Sequence, residues 1–335
     1  MATTNFNVET LLPAIIAIAY YAFVFFFAEI TRKIVGLIFK KSSLIYVLLI
    51  ELIGTAQMCT CVYENCKEVQ AKMEGFKMFL LVTKRSNPTL KQFAYQQIKM
   101  RIVRICLKLS ANFFYIFFQF IFTSPKYSFH LAVIVKHYGP IGFFFAVSTL
   151  LLSGNLLNRG AFVSPLPVIE QFFTGRMSSE KFLALIFAQS VSGYSAFRLA
   201  NSLWYYSLSY SIDHHQLFER LPCAINYKVP FNYVFINELL CAFLLRFSIQ
   251  RMPLFVKTRL IPFMISGFLT FSLVYIGIPG LNPVVASSRL MGCPGLDLQW
   301  FMITYWLCPV IGWMMAVKLD KIKIVKKKQH KKKEK

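Results

Sequence analysis

The chain has 335 residues, of which 56% are hydrophobic and 15% charged, with 35 Phe and a mean hydropathy of +0.54. A soluble domain needs more polar side chains than that to face water, so a water-soluble globule is excluded and lipid is the solvent that fits. The formal net charge of +23 suggests nucleic acid, but the basic residues sit between apolar runs and in a terminal tail, with no nucleic-acid fold pattern beside them, as the excess of Lys and Arg on the cytosolic side of membrane proteins produces.

A helix that crosses a bilayer needs about 20 mostly apolar residues. The first such run, Leu11 to Phe27, is closed by Arg32 and Lys33, so residues 1–41 predict an extra N-terminal hydrophobic helix with a basic linker. It carries no signal-peptide cleavage pattern and is expected to stay in the chain. A second run covers Ser42 to Tyr63. Residues 66–136 then form an atypical basic insertion with one apolar piece, Ile105 to Phe122, expected to be poorly structured, re-entrant or on the surface. Spans follow at Pro140–Leu157, Lys181–Tyr206 (interrupted by Arg198), Phe231–Ile249, Leu260–Ile278 and Gln299–Val317. Residues 319–335 are a basic tail, leaving 42–318 as the membrane domain.

Two pieces, Ser164–Phe173 and Asn282–Met291, are too short to cross. Each begins with a small polar residue followed by Pro, which suits an N-cap and the first helical position. Each therefore predicts a half-helix whose N-terminus enters the membrane, where irregular backbone persists only when buried in protein or lining a cavity. Paired broken helices in corresponding halves point to a solute site at the midplane. Glu51-Leu52-Ile53 and Glu238-Leu239-Leu240 stand at matching places in the two halves. An intramembrane carboxylate is costly and usually faces a partner inside the protein, so both are expected to brace loop backbone. The order in each half is Glu-bearing helix, further helix, half-helix, crossing helix.

On these residues the chain resembles the aquaporins, and among them the unorthodox intracellular branch. Asn282-Pro283-Val284 stands where that family has its second Asn-Pro-Ala box, and Ser164-Pro165-Leu166 is similar to a degraded first box, 118 residues earlier. Glu51 to Thr55 resembles the family's first-helix signature, and Ala188-Gln189 its third-helix one. Cys293, nine residues after Val284, resembles a hallmark of the unorthodox branch, as does the Ile303–Leu307 run with Pro309. The resemblance covers roughly 42–65 and 137–318. It implies an all-α membrane protein: an aquaporin-like bundle of six core transmembrane helices plus two re-entrant half-helices, preceded by the extra N-terminal helix.

What the resemblance implies for function is physical rather than catalytic. Half-helix N-termini carry partial positive charge and oppose cations and protons, while the box amides turn each passing water. Asn282 keeps such an amide; Ser164 offers one hydroxyl. Positions carried over for the second constriction are Phe144, Thr270, Pro279 and Val285, with Val285 where orthodox members have Arg. Arg289, one turn further on, is expected to be exposed at the pore mouth. This apolar constriction favours water and small neutral solutes such as glycerol or hydrogen peroxide. The family also implies a homo-oligomer, a tetramer.

The remaining signals are bland. No Cys/His quartet with zinc spacing, activated nucleophile or phosphate loop is present in the sequence, so no metal, cofactor or enzymatic activity is expected. His214-His215 reads as a solvated pair in a polar connector. Arg198 and Arg246 read as snorkelling or capping residues. Cys293 is either paired, for instance with Cys223, or a free structural thiol. The basic connectors at 32–41, 159–181 and 251–259 and the tail share one side of a six-span core, assigned to the cytosol. The tail ends Lys332-Lys333-Glu334-Lys335, the pattern of a cytosolic dilysine retrieval signal, which places the protein in the endoplasmic reticulum. Two functions stand: a channel for water and small neutral solutes, or a non-conducting structural protein of the reticulum membrane that keeps the fold.

Overall fold

The computed structural model describes residues 8–65, 133–219 and 225–319. All of these belong to one of the two compact units into which the chain divides, residues 1–69 with 127–335. The described residues form helices and no strands: α1 (Val8–Ile38), α2 (Leu44–Asn65), α3 (Val133–Leu157), α4 (Pro165–Phe173), α5 (Ser179–Ser207), α6 (Ile212–Glu219), α7 (Phe231–Arg251), α8 (Leu254–Phe271), α9 (Pro283–Leu290) and α10 (from Leu298). Among them seven helices are long and apolar enough to cross a membrane: α1, α2, α3, α5, α7, α8 and α10.

Local sequence chemistry sets the helix starts. Ser43 Oγ accepts from Tyr46 N at the head of α2, and Ser178 caps α5 by accepting from Lys181 N. Gly139, at φ 63°, kinks α3 so that its straight span begins at Pro140. Helix α8 starts at Leu254 rather than at Leu260, taking in Lys257 and Arg259. Polar side chains at a helix end reach the interface while the backbone stays helical, so the apolar run understates the helix. Helix α8 is continued by a π-helical turn, Ser272–Ile276, and α10 passes through another, Ile303–Leu307, before running on to Leu319.

The order α2-α3-α4-α5 is repeated by α7-α8-α9-α10, with α1 and the short α6 outside the repeat. Helix α2 lies along α5, α3 along α8, and the half-helix α9 touches α5. Helices α7 and α10 meet backbone to backbone: a Cβ on Gly312 of α10 would stand 2.1 Å from Leu239 O of α7, so only glycine fits. Phe23, Phe26, Phe27, Phe145, Phe187, Phe255 and many other large apolar side chains point outward, as a lipid-facing surface requires.

Helix α1 departs from its expected form. Arg32 does not close it; the helix runs on to Ile38, and Arg32 is fully buried within it. The insertion 66–136 lies outside the described residues except for 133–136, which begin α3. The tail beyond Leu319, with Lys332 and Lys333, also lies outside them.

Candidate functional site

At 9 and 8 residues, α4 and α9 rise only about 12–14 Å, well short of a hydrocarbon core of about 30 Å. Both start the same way. The residue before each box, Val163 and Leu281, adopts a left-handed backbone, φ 55° and 66°. For a β-branched residue such as Val163 that is a rare conformation, costing about 1–3 kcal/mol and persisting only where its surroundings over-determine it. Here a buried carboxylate does so. Glu51 accepts from Phe162 N at 2.8 Å and Val163 N at 2.7 Å, while Glu238 accepts from Leu281 N at 2.7 Å and from Gly280 N. Glu51 also accepts from Gln189 Nε2 at 2.7 Å. Each carboxylate therefore holds the turn that launches a half-helix.

The caps differ. Ser164 Oγ accepts from Leu166 N at 3.4 Å, a long contact. Asn282 Oδ1 accepts from Val284 N at 3.1 Å, and its Nδ2 donates to Val163 O at 2.9 Å. The Asn282 amide thus caps its own half-helix and reaches the loop of the other.

A cavity of about 290 Å³ opens on this junction, and Ser164, Leu166, Val163, Leu281, Asn282 and Arg289 are among its lining residues. Pro165, Pro283 and Val284 are buried behind it. Of the four carried-over constriction positions, Pro279 and Val285 line the cavity; Phe144 and Thr270 do not, and their neighbours Phe143 and Leu269 do. An offset counted from the boxes does not carry the rotational register of α3 and α8. Phe144 instead meets Phe145 and Phe263.

Three side chains stand otherwise than the sequence predicts. Arg289 is not exposed: it is 3% accessible, lines the cavity, and its Nη1 donates to Pro279 O at 3.5 Å. Arg246 makes a bidentate pair with Glu170 of α4 at 2.7 and 2.5 Å, and Trp313 Nε1 donates to the same carboxylate at 2.7 Å; it clamps the first half-helix rather than snorkelling. His214 is buried on α6, its Nε2 2.9 Å from Glu64 Oε1 and its Nδ1 2.6 Å from Ser207 Oγ, so it is a packed histidine and not a solvated one.

Beside His214, Asp213 meets Lys136 Nζ at 2.6 Å and His137 Nε2 at 2.8 Å. Burial works to raise its carboxyl, but the hydrogen bonds and charges of Lys136 and His137 prevail and hold it below the usual carboxylate range. Cys293 is in a disulfide whose partner lies outside the described residues, as does Cys223; Cys59 and Cys61 are buried. Among the described residues no cluster of His, Cys, Asp or Glu could hold a metal.

The sequence reading missed Phe25, Gln57 and Asn158, which also line the cavity, and Arg32 behind them. A charge inside a long apolar helix was the available signal.

Seven helices long and apolar enough to cross a membrane, a repeated order of four elements and two carboxylate-braced half-helices meeting at one cavity define a polytopic membrane protein of the broken-helix class. No family model matches the chain. It is 32% identical over 309 residues to a putative aquaporin-10 of Caenorhabditis elegans, covering 91% of this chain and 86% of that protein. It is 28% identical to human aquaporin-11 over 52% of this chain and 62% of that one, and 30% identical to mouse aquaporin-11 over 53% and 63%. The chain belongs to the aquaporin family, and its relatives place its resemblance on the unorthodox branch. The alignment with the Caenorhabditis elegans protein spans 91% of the chain, so it runs across 66–136 rather than stopping there.

Proposed function

We propose that the protein is a channel for passive movement of water and small neutral solutes, glycerol and hydrogen peroxide among them, through the cavity at the half-helix junction. The observation that carries this reading is the Asn282 amide, lining a cavity onto which both half-helix N-termini converge. At roughly 30 Å³ per water, a cavity of about 290 Å³ has room for several. The N-terminal partial charges of α4 and α9 disfavour cations there, and the second N–H of the Asn282 amide, which meets only Met58 Sδ at 3.9 Å, serves as the donor for a passing water. With Val285 in place of a fixed cation, Arg289 supplies the positive charge one turn further along α9.

The lysines at 332 and 333 support residence in the endoplasmic reticulum with a cytosolic C-terminus, and the family supports assembly as a tetramer. Replacing both lysines with alanine should move a tagged protein toward the cell surface in fractionation; unchanged distribution would remove the retrieval signal from the account.

The channel is tested by stopped-flow light scattering on purified protein in liposomes, under water and then glycerol gradients. Permeability above empty vesicles that falls severalfold in Asn282→Asp is expected. Folded protein with no excess permeability to water, glycerol or hydrogen peroxide would leave the structural role, a reticulum protein that keeps the fold without conducting.

A further inference from the structure

Arg32 comes from α1, the long N-terminal helix outside the repeat, and none of its surface reaches solvent. Its Nη2 donates to Gln57 Oε1 at 2.5 Å and to Asn158 Oδ1 at 3.0 Å. Glu29 stands 3.8 Å from Nη1 and also pairs with Arg159, whose Nη1 donates to the Arg32 carbonyl at 3.4 Å. Two arginines against one glutamate leave this cluster with a net positive charge. Gln57 and Asn158 both line the cavity, and so does Phe25 of α1.

A guanidinium has only donors, so each amide must turn its oxygen toward Arg32. The two amide NH₂ groups then face away from the guanidinium, and neither meets a protein acceptor among the described residues. At this part of the wall the cavity is left with hydrogen-bond donors. Water, with its lone pairs, is solvated by donors; an ammonium ion, which has none, is not.

We propose that Arg32 is a positioning residue for selectivity: by holding the Gln57 and Asn158 carbonyls it keeps that part of the cavity wall donor-only and, with its cluster's net charge, rejects cationic solutes. The inference rests on the channel reading. It gives the extra N-terminal helix a part in the solute path.

The test compares methylammonium and water permeability in proteoliposomes at neutral pH, with the leak of empty vesicles subtracted. Arg32→Met removes the donors and the charge at similar length, freeing both amides to turn. The methylammonium-to-water ratio should rise roughly tenfold, the scale expected when one nearby unit charge is lost from a partly screened site. Arg32→Lys, which keeps a charged donor, should stay near wild type. Asn158→Asp keeps the contact with Arg32 but presents an oxygen to the cavity and neutralises the cluster, so it should also raise the ratio. It decides the matter if Arg32→Met does not fold. Loosened packing alone would also raise permeability to a neutral solute of methylammonium's size, such as methanol, whereas loss of the charge and donors raises methylammonium and leaves the methanol-to-water ratio fixed. A conducting wild type whose ratio stays put in Asn158→Asp and in any folded Arg32→Met overturns this inference alone. A wild type that conducts nothing overturns the channel reading and this inference with it.

Discussion

The two half-helix junctions solve one problem with unequal parts. Both force the residue before the box into a left-handed turn, and both seat that turn on a buried glutamate. The first carboxylate takes three donors, two from backbone and one from Gln189; the second takes two, from Gly280 and Leu281. Where the second loop has Gly280, the first has Phe162. A Cβ on Gly280 would stand 2.4 Å from Glu238 Oε1, so the second carboxylate presses against backbone that the first does not need bare. The caps reverse the balance, since Asn282 bridges to the other loop and Ser164 satisfies only its own helix. Brace and cap are therefore separable: the carboxylate fixes the turn, and the box residue decides what faces the cavity.

The largest expected effect comes from the braces. Each stranded buried donor costs about 1–3 kcal/mol, so Glu51→Ala, stranding three, should destabilise more than Glu238→Ala, stranding two. Thermal unfolding of the detergent-solubilised protein measures both; equal losses would mean that the Gln189 bond contributes nothing. Next, Gly280→Ala should lower stability by about 1–3 kcal/mol through overpacking, whereas Phe162→Ala should cost about 1 kcal/mol or less by the same measurement. The opposite ranking would break the asymmetry drawn from the two loops.

Exchanging the caps probes function more than stability. Asn282→Ser should lose the bond to Val163 O, about 0.5–1.5 kcal/mol, and reduce water permeability. Ser164→Asn should leave stability unchanged within about 0.5 kcal/mol and lower the proton-to-water permeability ratio, measured by pH-gradient decay.

The smallest effect is a control remote from both boxes. Asp213 titrates lower in the folded protein than in the unfolded chain. Its contribution is complete above the unfolded value of about 3.9 and is lost as pH falls through the lower folded value. Lys136 and His137 are partly exposed, so Asp213→Asn should cost under about 1 kcal/mol near neutrality and flatten the acid limb of a stability–pH curve.

Sequence alone determined the class, the crossing helices and the two half-helices. Those features are written in one dimension: apolar run length against bilayer thickness, a polar cap before Pro, and glutamates at matching places in two halves. The same reading placed a helix end at Arg32, exposed Arg289 and solvated His214, because a charge's environment is not a property of its neighbours in the chain. Only the tertiary structure sets Arg32 against Gln57 and Asn158, residues 25 and 126 positions away, and only it turns Phe143 and Leu269 rather than Phe144 and Thr270 to the cavity. A rotation of about 100° per residue separates those neighbours on a helix. That rotation is fixed by how α3 and α8 pack together, which is decided by side chains far apart in the sequence.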